Sequence, residues 1–423
     1  MMMPIKHAAT FLNGAAFKPS DWGDAGLPIL RIAQLTGGEF DNYFDGSINR
    51  GHLICNGDLL FSWSATIDAF IWDRGDAILN QHIFKVLPKK NALKKYLYYV
   101  IKAHAPRWAD DDAHGSTMRH IKKESLSNKV WIPDLDTQKS VVDFLDREIS
   151  LLDQMIEKKQ RLSGILDEKL ADETLNAVTL GIDGSAELVP SSELEWTVSR
   201  PKHWKIVRLK YFFSEKTQYS ANGEEMLLSL RMKEGLVPHN DVSDKELLPS
   251  DLIGYKKVFP GQIVMNRMRA AIGLFGLSDF EGIVSPDYSI FDVGASAHAG
   301  YFLRLFKTEP MKAAFRLLSK GLGTGHSGFM RLNSDNFGRI RVAVPEFEEQ
   351  REISRYVEVR TKQINELQKK NQLSIDRLKE FRTALIKNAV SGEIDVATWG
   401  KSGHTDRRLD QIEEDMALRE VRA

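Results

Sequence analysis

Two stretches of this chain change hydrophobic period in the same way. In "NKVWIPDLDTQKSVVDFL" (128–145) and "GRIRVAVPEFEEQREISRYV" (338–357), a short strand-like apolar run meets a proline and passes into helical spacing. After each proline, Asp134, Asp136 and Thr137, or Glu346, Glu348 and Glu349, supply caps and negative charge for a helix N-terminus. In the second helix Val357, Ile364, Asn371, Leu378 and Leu385 recur by sevens, with Ile353, Leu367 and Phe381 between them. Leu145, Leu152, Lys159 and Leu166 hold the same places in the first, with Met155 and Leu162 between. Such heptads predict a coiled coil, and about 40 residues at about 1.5 Å each predict rods of roughly 60 Å. Lys159 and Asn371 interrupt the two seams at one repeat position, so antiparallel pairing predicts a polar layer there that fixes register.

The offset between the stretches is constant. Pro133 maps onto Pro345, Gln138 onto Gln350, Met118-Arg119 onto Met330-Arg331 and "NAVTLGID" from Asn176 onto "NAVSGEID" from Asn388, all 212 positions apart. Upstream the offset drifts to about 204, where "ICNGDLLFSWSA" (54–65) resembles "VFPGQIVMNRMRA" (258–270) and Gly57 matches Gly261. The chain is therefore a tandem repeat of a globular part followed by a long helix. Short apolar runs between Gly, Asn and Asp turns, with "LKKYLYYVIKA" and "MKAAFRLLSK" as helices, make both globular parts α+β. The predicted fold is two similar α/β domains joined by two long helices forming an antiparallel coiled coil, a pseudo-two-fold internal repeat. Its blocks are a first domain 1–136, a central helix 137–180, a linker and entry strand 181–204, a second domain 205–345, a distal helix 346–395 and a charged tail 396–423. The second globular part opens with "WKIVRLKYFF", whereas the first begins almost at its loop and is expected to lack an opening strand.

Composition changes this picture in three ways. The chain has 423 residues with 42% hydrophobic and 27% charged, so packed domains rather than disorder are expected. One cysteine, Cys55, excludes an intrachain disulfide and a cysteine-based zinc site. No signal-like or membrane-length apolar stretch is visible, and the expectation is a cytoplasmic protein with no membrane partner. Net charge is zero, yet residues 197–345 hold 21 Lys+Arg against 14 Asp+Glu while 137–196 hold 6 against 13. A basic surface can thus hide within overall neutrality.

These features resemble the specificity subunit of type I restriction-modification systems. The resemblance rests on the glycine-turn strand starts at Gly57 and Gly261, "GSTMRHI" and "SGFMRLN" ahead of the next strand, "IPDLDTQ" and "VPEFEEQ", and the helix end "RTALIKNAVSGEID". The first copy departs from the family's Glu-Gln helix start, having "DLDTQ". Similarity to that family implies two target recognition domains, each reading half of a split double-stranded DNA target. It implies helices that space the domains and dock two modification (methyltransferase) subunits. S-adenosylmethionine would then belong to the modification subunits, ATP and magnesium would be used by partner subunits, with translocase and nuclease activity in restriction subunits, and this chain would bind no cofactor and catalyse nothing.

Candidate DNA contacts follow from residue chemistry. Arg267 and Arg269 alternate along a predicted strand and can reach guanine edges or phosphates; Lys256 and Lys257 suit phosphates. The matched strand of the first domain offers Ser62, Trp63 and Ser64, with Trp63 either core or a stacking platform. Gln81 and His82 fit adenine or guanine edges, or a turn cap. Arg119 and Arg331 share a repeat position beside Gly/Ser loops, where phosphate contact and a structural ion pair both explain the recurrence. "GLGTGHSG" (321–328), with His326, lacks the Lys-Ser/Thr of a nucleotide loop and reads as a DNA-facing loop. "DDD" at 110–112 reads as a solvated turn. Two other functions remain: a magnesium-dependent nuclease using Asp134 with Asp167-Glu168-Lys169, and a coiled-coil scaffold or adaptor whose globular domains bind protein. No P-loop and no Asn-Pro-Pro-Tyr motif is present.

Overall fold

A computed structural model describes residues 1–47, 49–112, 120–194, 196–245, 247–322, 329–396 and 398–399. The chain divides into two compact units, Met1–Gln160 with the described residues from Gln372 on, and Arg161–Asn371. Each unit therefore holds one globular domain, the start of one long helix and the end of the other.

The first unit runs through strands β1 (Met2–Pro4), β2 (Ala9–Asn13), β3 (Leu59–Ser62), β4 (Asp68–Ile71) and β5 (Ile83–Pro88). Helix α1 (Lys94–Asp112), strand β6 (Lys129–Trp131) and helix α2 (Leu135–Leu180) follow. Four strands form an antiparallel sheet in the order β2-β5-β3-β4, with Leu59 opposite Val86. Leu59 and Phe61 of β3 and Tyr96, Leu97 and Val100 of α1 share a core with Leu145 and Leu152 of α2. A second sheet, Leu27–Leu30 with Tyr43–Phe44, Leu53–Ile54 and Ala77–Leu79, has its own core around Leu30 and Trp72.

The second unit repeats the plan with β7 (Lys205–Arg208), β8 (Phe213–Lys216), β9 (Ile263–Asn266), β10 (Phe275–Leu277) and β11 (Tyr288–Val293). Helices α3 (Ala299–Phe306) and α4 (Glu309–Leu318), strands β12 (Lys320–Leu322), β13 (Phe329–Arg331) and β14 (Arg341–Val344) and helix α5 (Phe347–Ser391) complete it. Its sheet order, β8-β11-β9-β10, and its register, Ile263 opposite Phe291, are those of the first unit. Phe213, Phe275, Phe306, Phe315 and Phe337 pack edge-on and tilted at its centre.

The expectation that the first domain lacks an opening strand is corrected. β1 pairs antiparallel with β6, Met2 opposite Trp131, as β7 pairs with β14, Lys205 opposite Val344. The turn after each strand begins on an N–H bonded to the equivalent carbonyl: Ile5 to Asn128 at 3.2 Å and Leu209 to Ile340 at 2.9 Å. Three residues that include a proline carry no readable alternation, and only the pairing partner reveals the strand.

The recurrent glutamine has a physical reason. Gln138 is 0% and Gln350 1% exposed. The Gln138 amide nitrogen donates to Pro133 O (2.8 Å) and Asn91 O (2.9 Å), while its oxygen accepts the Leu93 N–H at 2.8 Å. The Gln350 amide donates to Pro345 O (3.0 Å) and Ser296 O (3.2 Å) and accepts the His298 N–H at 2.8 Å. One side chain thus satisfies backbone groups at the start of the long helix and ahead of the preceding helix. Asp134 adds a cap in the first unit, accepting the Thr137 N–H at 2.9 Å, and this bond with the Thr137 hydroxyl holds its carboxyl below the usual range.

The far ends of the helices are fastened reciprocally. Tyr96 donates to Val390 O at 3.4 Å and to Trp131 O at 2.8 Å in the first unit, and Tyr301 to Val178 O at 3.0 Å in the second. Burial pushes both phenols above their ordinary range. Both helices end on a left-handed glycine, Gly181 at φ +83° and Gly392 at φ +76°.

Within each unit α2 and α5 pair antiparallel. In the second, Arg360 grips Glu173 at 2.9 and 3.1 Å, Gln368 donates to Asp167 at 2.6 Å and Asn371 to Ser163 at 2.8 Å, so one number rises as the other falls. In the first, Arg382 pairs with Asp153. The seam residues Leu145, Leu152, Val357, Ile364, Leu378 and Leu385 are buried, as are Lys159 and Asn371. Leu367 departs from the expected seam and is 42% exposed, because two paired helices bury one stripe and a residue beside it stays wet. No described helix is long and apolar enough to cross a membrane.

Two outcomes are expected. Gln350→Leu strands the His298 N–H and two carbonyls and should destabilise the second unit by about 3 kcal/mol. Hydrogen exchange would show the His298 amide losing protection while that of Leu93 keeps it, and equal loss at both would contradict separate clamps. Glu148, 4% exposed, leaves its Oε2 without a hydrogen bond and holds Arg360's repeat position, while buried Leu385 holds that of Glu173. Glu148→Leu should therefore stabilise the first unit by about 1 kcal/mol, read as a higher urea midpoint.

Candidate nucleic-acid interface

In each unit three sequence-distant segments meet at the end of the central strand. In the first, the Trp63 N–H donates to His82 O at 3.3 Å and the Ile121 N–H to Trp63 O at 2.8 Å, while Ser64 bridges His120. The half-buried indole lies 5.2 Å from the His82 ring, and its N–H donates to Asn13 Oδ1 at 3.3 Å. Gln81 Nε2 sits 3.2 Å from His82 Nε2. Trp63, Gln81 and His82 are thus brought together. Ser62 is 0% exposed with its hydroxyl on Ser64 O, and Ser64 is 9% exposed, so neither serine faces solvent as a reading group would. The strand is buried on both faces from Leu59 to Ser62, which the serine's polarity concealed.

In the second unit the three segments meet in the same sheet register and the side chains differ. The sheet register puts Arg267 at Trp63's place and Asp287 at that of His82. Leu332 N–H donates to Arg267 O at 2.9 Å. The Arg267 guanidinium donates through Nε to Asp287 O at 2.8 Å and through Nη2 to Pro286 O at 3.0 Å. Arg331 donates to Asp287 Oδ1 at 2.9 Å. Arg267 and Arg331 therefore converge on one loop, with fixed forks suited to base edges or phosphates.

Two expectations are corrected here. Arg267 and Arg269 do not alternate along a strand: β9 stops at Asn266, whose side-chain oxygen accepts the N–H groups of Met268 (3.0 Å) and Arg269 (3.1 Å) and turns the chain. Arg269 is exposed in that turn. Lys256 is 6% exposed, its ammonium donating to Tyr288 O at 2.7 Å, and burial lowers its pKa. It supports the loop from beneath rather than meeting a phosphate. Its neighbour Lys257 points the other way and pairs with Glu225 at 2.8 Å, which with Ser220 holds that carboxyl down to about 2.

Arg119 and His326 lie outside the described residues. Asp287, Asn13 and His120 were missed by sequence reasoning, although Asp287 was open to discovery because "VSPDYSIF" follows "GI" as "LNQHIF" follows "AI". Among the described residues no three His, Cys, Asp or Glu side chains gather as a metal site, and Asp167 lies inside α2, bonded to Gln368.

Known proteins share parts of this sequence and its overall fold. Residues 3–163 match the model of the type I restriction modification DNA specificity domain. The EcoBI specificity subunit of Escherichia coli is 21% identical over 417 residues, covering 94% of this chain and 87% of that protein. The MjaIX specificity subunit of Methanocaldococcus jannaschii is 27% identical over 157 residues, 36% of this chain and 35% of its own length. In fold, a chain from a type I restriction-modification assembly matches with TM-score 0.61 at 13% identity, over 92% of this chain and 98% of its own. The HsdS subunit of Thermoanaerobacter tengcongensis gives 0.50 at 14% identity, over 93% and 97%. The matched domain covers one of two copies of a single frame and the alignment with the Escherichia coli relative runs through both, so along nearly its whole length the chain is similar to the specificity subunits of type I restriction-modification systems.

Proposed function

We propose that each globular domain reads one half of a split double-stranded DNA target, the first through the Trp63–Gln81–His82 face and the second through the Arg267–Arg331 face. The observation that carries this reading is one backbone frame presenting an indole and an imidazole in one copy and two guanidiniums in the other. A constant frame with altered donors is what different half-sites require, because base edges differ in donor and acceptor pattern while phosphates do not.

In this proposal α2 and α5 are the spacer and the docking surface for two modification subunits, which carry S-adenosylmethionine and flip the adenine to be methylated. Restriction subunits add ATP- and magnesium-dependent translocation and cleavage. The relatives are specificity subunits of type I restriction enzymes, which supports this division of labour. This chain contributes selection, and its role is to bind and position rather than to react. The scaffold alternative predicts no protected bases, whereas the present reading predicts two short protected segments with an unprotected gap in a complex with the methyltransferase.

Mapping of methylated adenines tests the assignment. Arg267→Ala or Arg331→Ala should relax or weaken recognition at one half-site, by about ten-fold in selectivity, and leave the other half unchanged. Trp63→Ala should affect the opposite half. Equal loss at both halves from either change would contradict modular reading.

A further inference from the structure

At the centre of the basic face of the second unit lies a carboxylate. Asp287 Oδ1 is 2.9 Å from Arg331 Nη2 and 3.8 Å from Arg267 Nη2, and its side chain is 47% exposed. The two arginines depend on it differently. Arg267 is anchored by the carbonyls of Pro286 and Asp287, and its side chain is 24% exposed. Arg331 is 38% exposed, and its guanidinium is hydrogen-bonded to the Asp287 carboxylate. A carboxylate facing DNA repels the phosphate backbone and competes with it for the neighbouring guanidinium. The first unit has His82 at this place, so the counter-charge belongs to the second domain and is no requirement of the shared frame.

We infer that Asp287 is a specificity-determining residue of the second domain: it occupies Arg331 against phosphates of non-cognate DNA, so that sequence-independent binding is held down. The inference rests on the reading of this face as DNA-binding. Its acting atom is the carboxylate oxygen on Arg331, and its effect is on the ratio of cognate to non-cognate binding.

The test uses the full chain assembled with its methyltransferase subunits, with duplexes containing or lacking the mapped target, titrated across salt concentration. Asp287→Asn keeps the shape and removes the charge. It should raise non-cognate affinity about five- to ten-fold at low salt, change cognate affinity less than about two-fold, and steepen the log affinity against log salt slope by about 0.9, the increment for one added phosphate contact. Asp287→Glu should keep the wild-type slope, and Asp287→Asn with Arg331→Ala should lose the gain. An unchanged slope in folded Asp287→Asn protein would overturn the inference. So would loss of cognate binding alone, which would make Asp287 a direct base acceptor. If the wild-type complex shows no preference between the duplexes, the reading of the face fails instead, so the two failures are distinct.

Discussion

A single buried amide in each unit holds the start of a long helix against its globular domain. Gln138 and Gln350 each join three backbone groups that would otherwise be stranded inside the protein, one of them the carbonyl of the proline that ends the preceding strand. The proline ends the strand, the five-residue spacing to glutamine places the amide one helical turn inside, and the loop before the preceding helix supplies the other partners. The motif is thus a joint. Any rotation of the helix start about its axis would break three bonds at once, so the domain and the first turns of the helix are one rigid piece.

The opposite ends are fastened by tyrosines rather than glutamines. Tyr96 and Tyr301 reach the carbonyls of Val390 and Val178 in the last turn of the helix that began in the other copy. The first compact unit is consequently assembled from discontinuous chain and the second from one continuous stretch, and each core includes a helix end distant in sequence, Val390 lying 294 residues from Tyr96 and Val178 lying 123 from Tyr301. That construction explains why the repeat persists so strongly in the helices while the domains have drifted. The helix positions satisfy two sets of contacts, whereas loops on the reading face satisfy one.

On that face the backbone does the positioning and the side chains do the discriminating. Arg267 is fixed by carbonyls of the loop it overlies, and Lys256 holds the same loop from below through Tyr288 O. A guanidinium oriented in advance loses little conformational freedom on binding. Both copies keep the backbone bond from the third segment, Ile121 N–H to Trp63 O and Leu332 N–H to Arg267 O, whereas the loop carbonyl that accepts the Trp63 N–H in the first copy accepts the Arg267 guanidinium in the second.

The long helices, the duplicated proline-to-glutamine joint and the α+β character of both domains follow from the sequence, because periodicity and an ungapped offset are local properties that survive in one dimension. Much of the seam follows too, with Leu367 as the exception that a second helix had to expose. The opening strand of the first domain was hidden, since three residues gain strand identity only from β6. The burial of Lys256 and Ser62, the turn after Asn266 and the meeting of Arg267, Asp287 and Arg331 were decided by tertiary structure alone. Hydrogen-bond partners tens of residues apart leave no periodic trace, and whether a polar side chain reads DNA or supports a loop depends on which of those partners reaches it first.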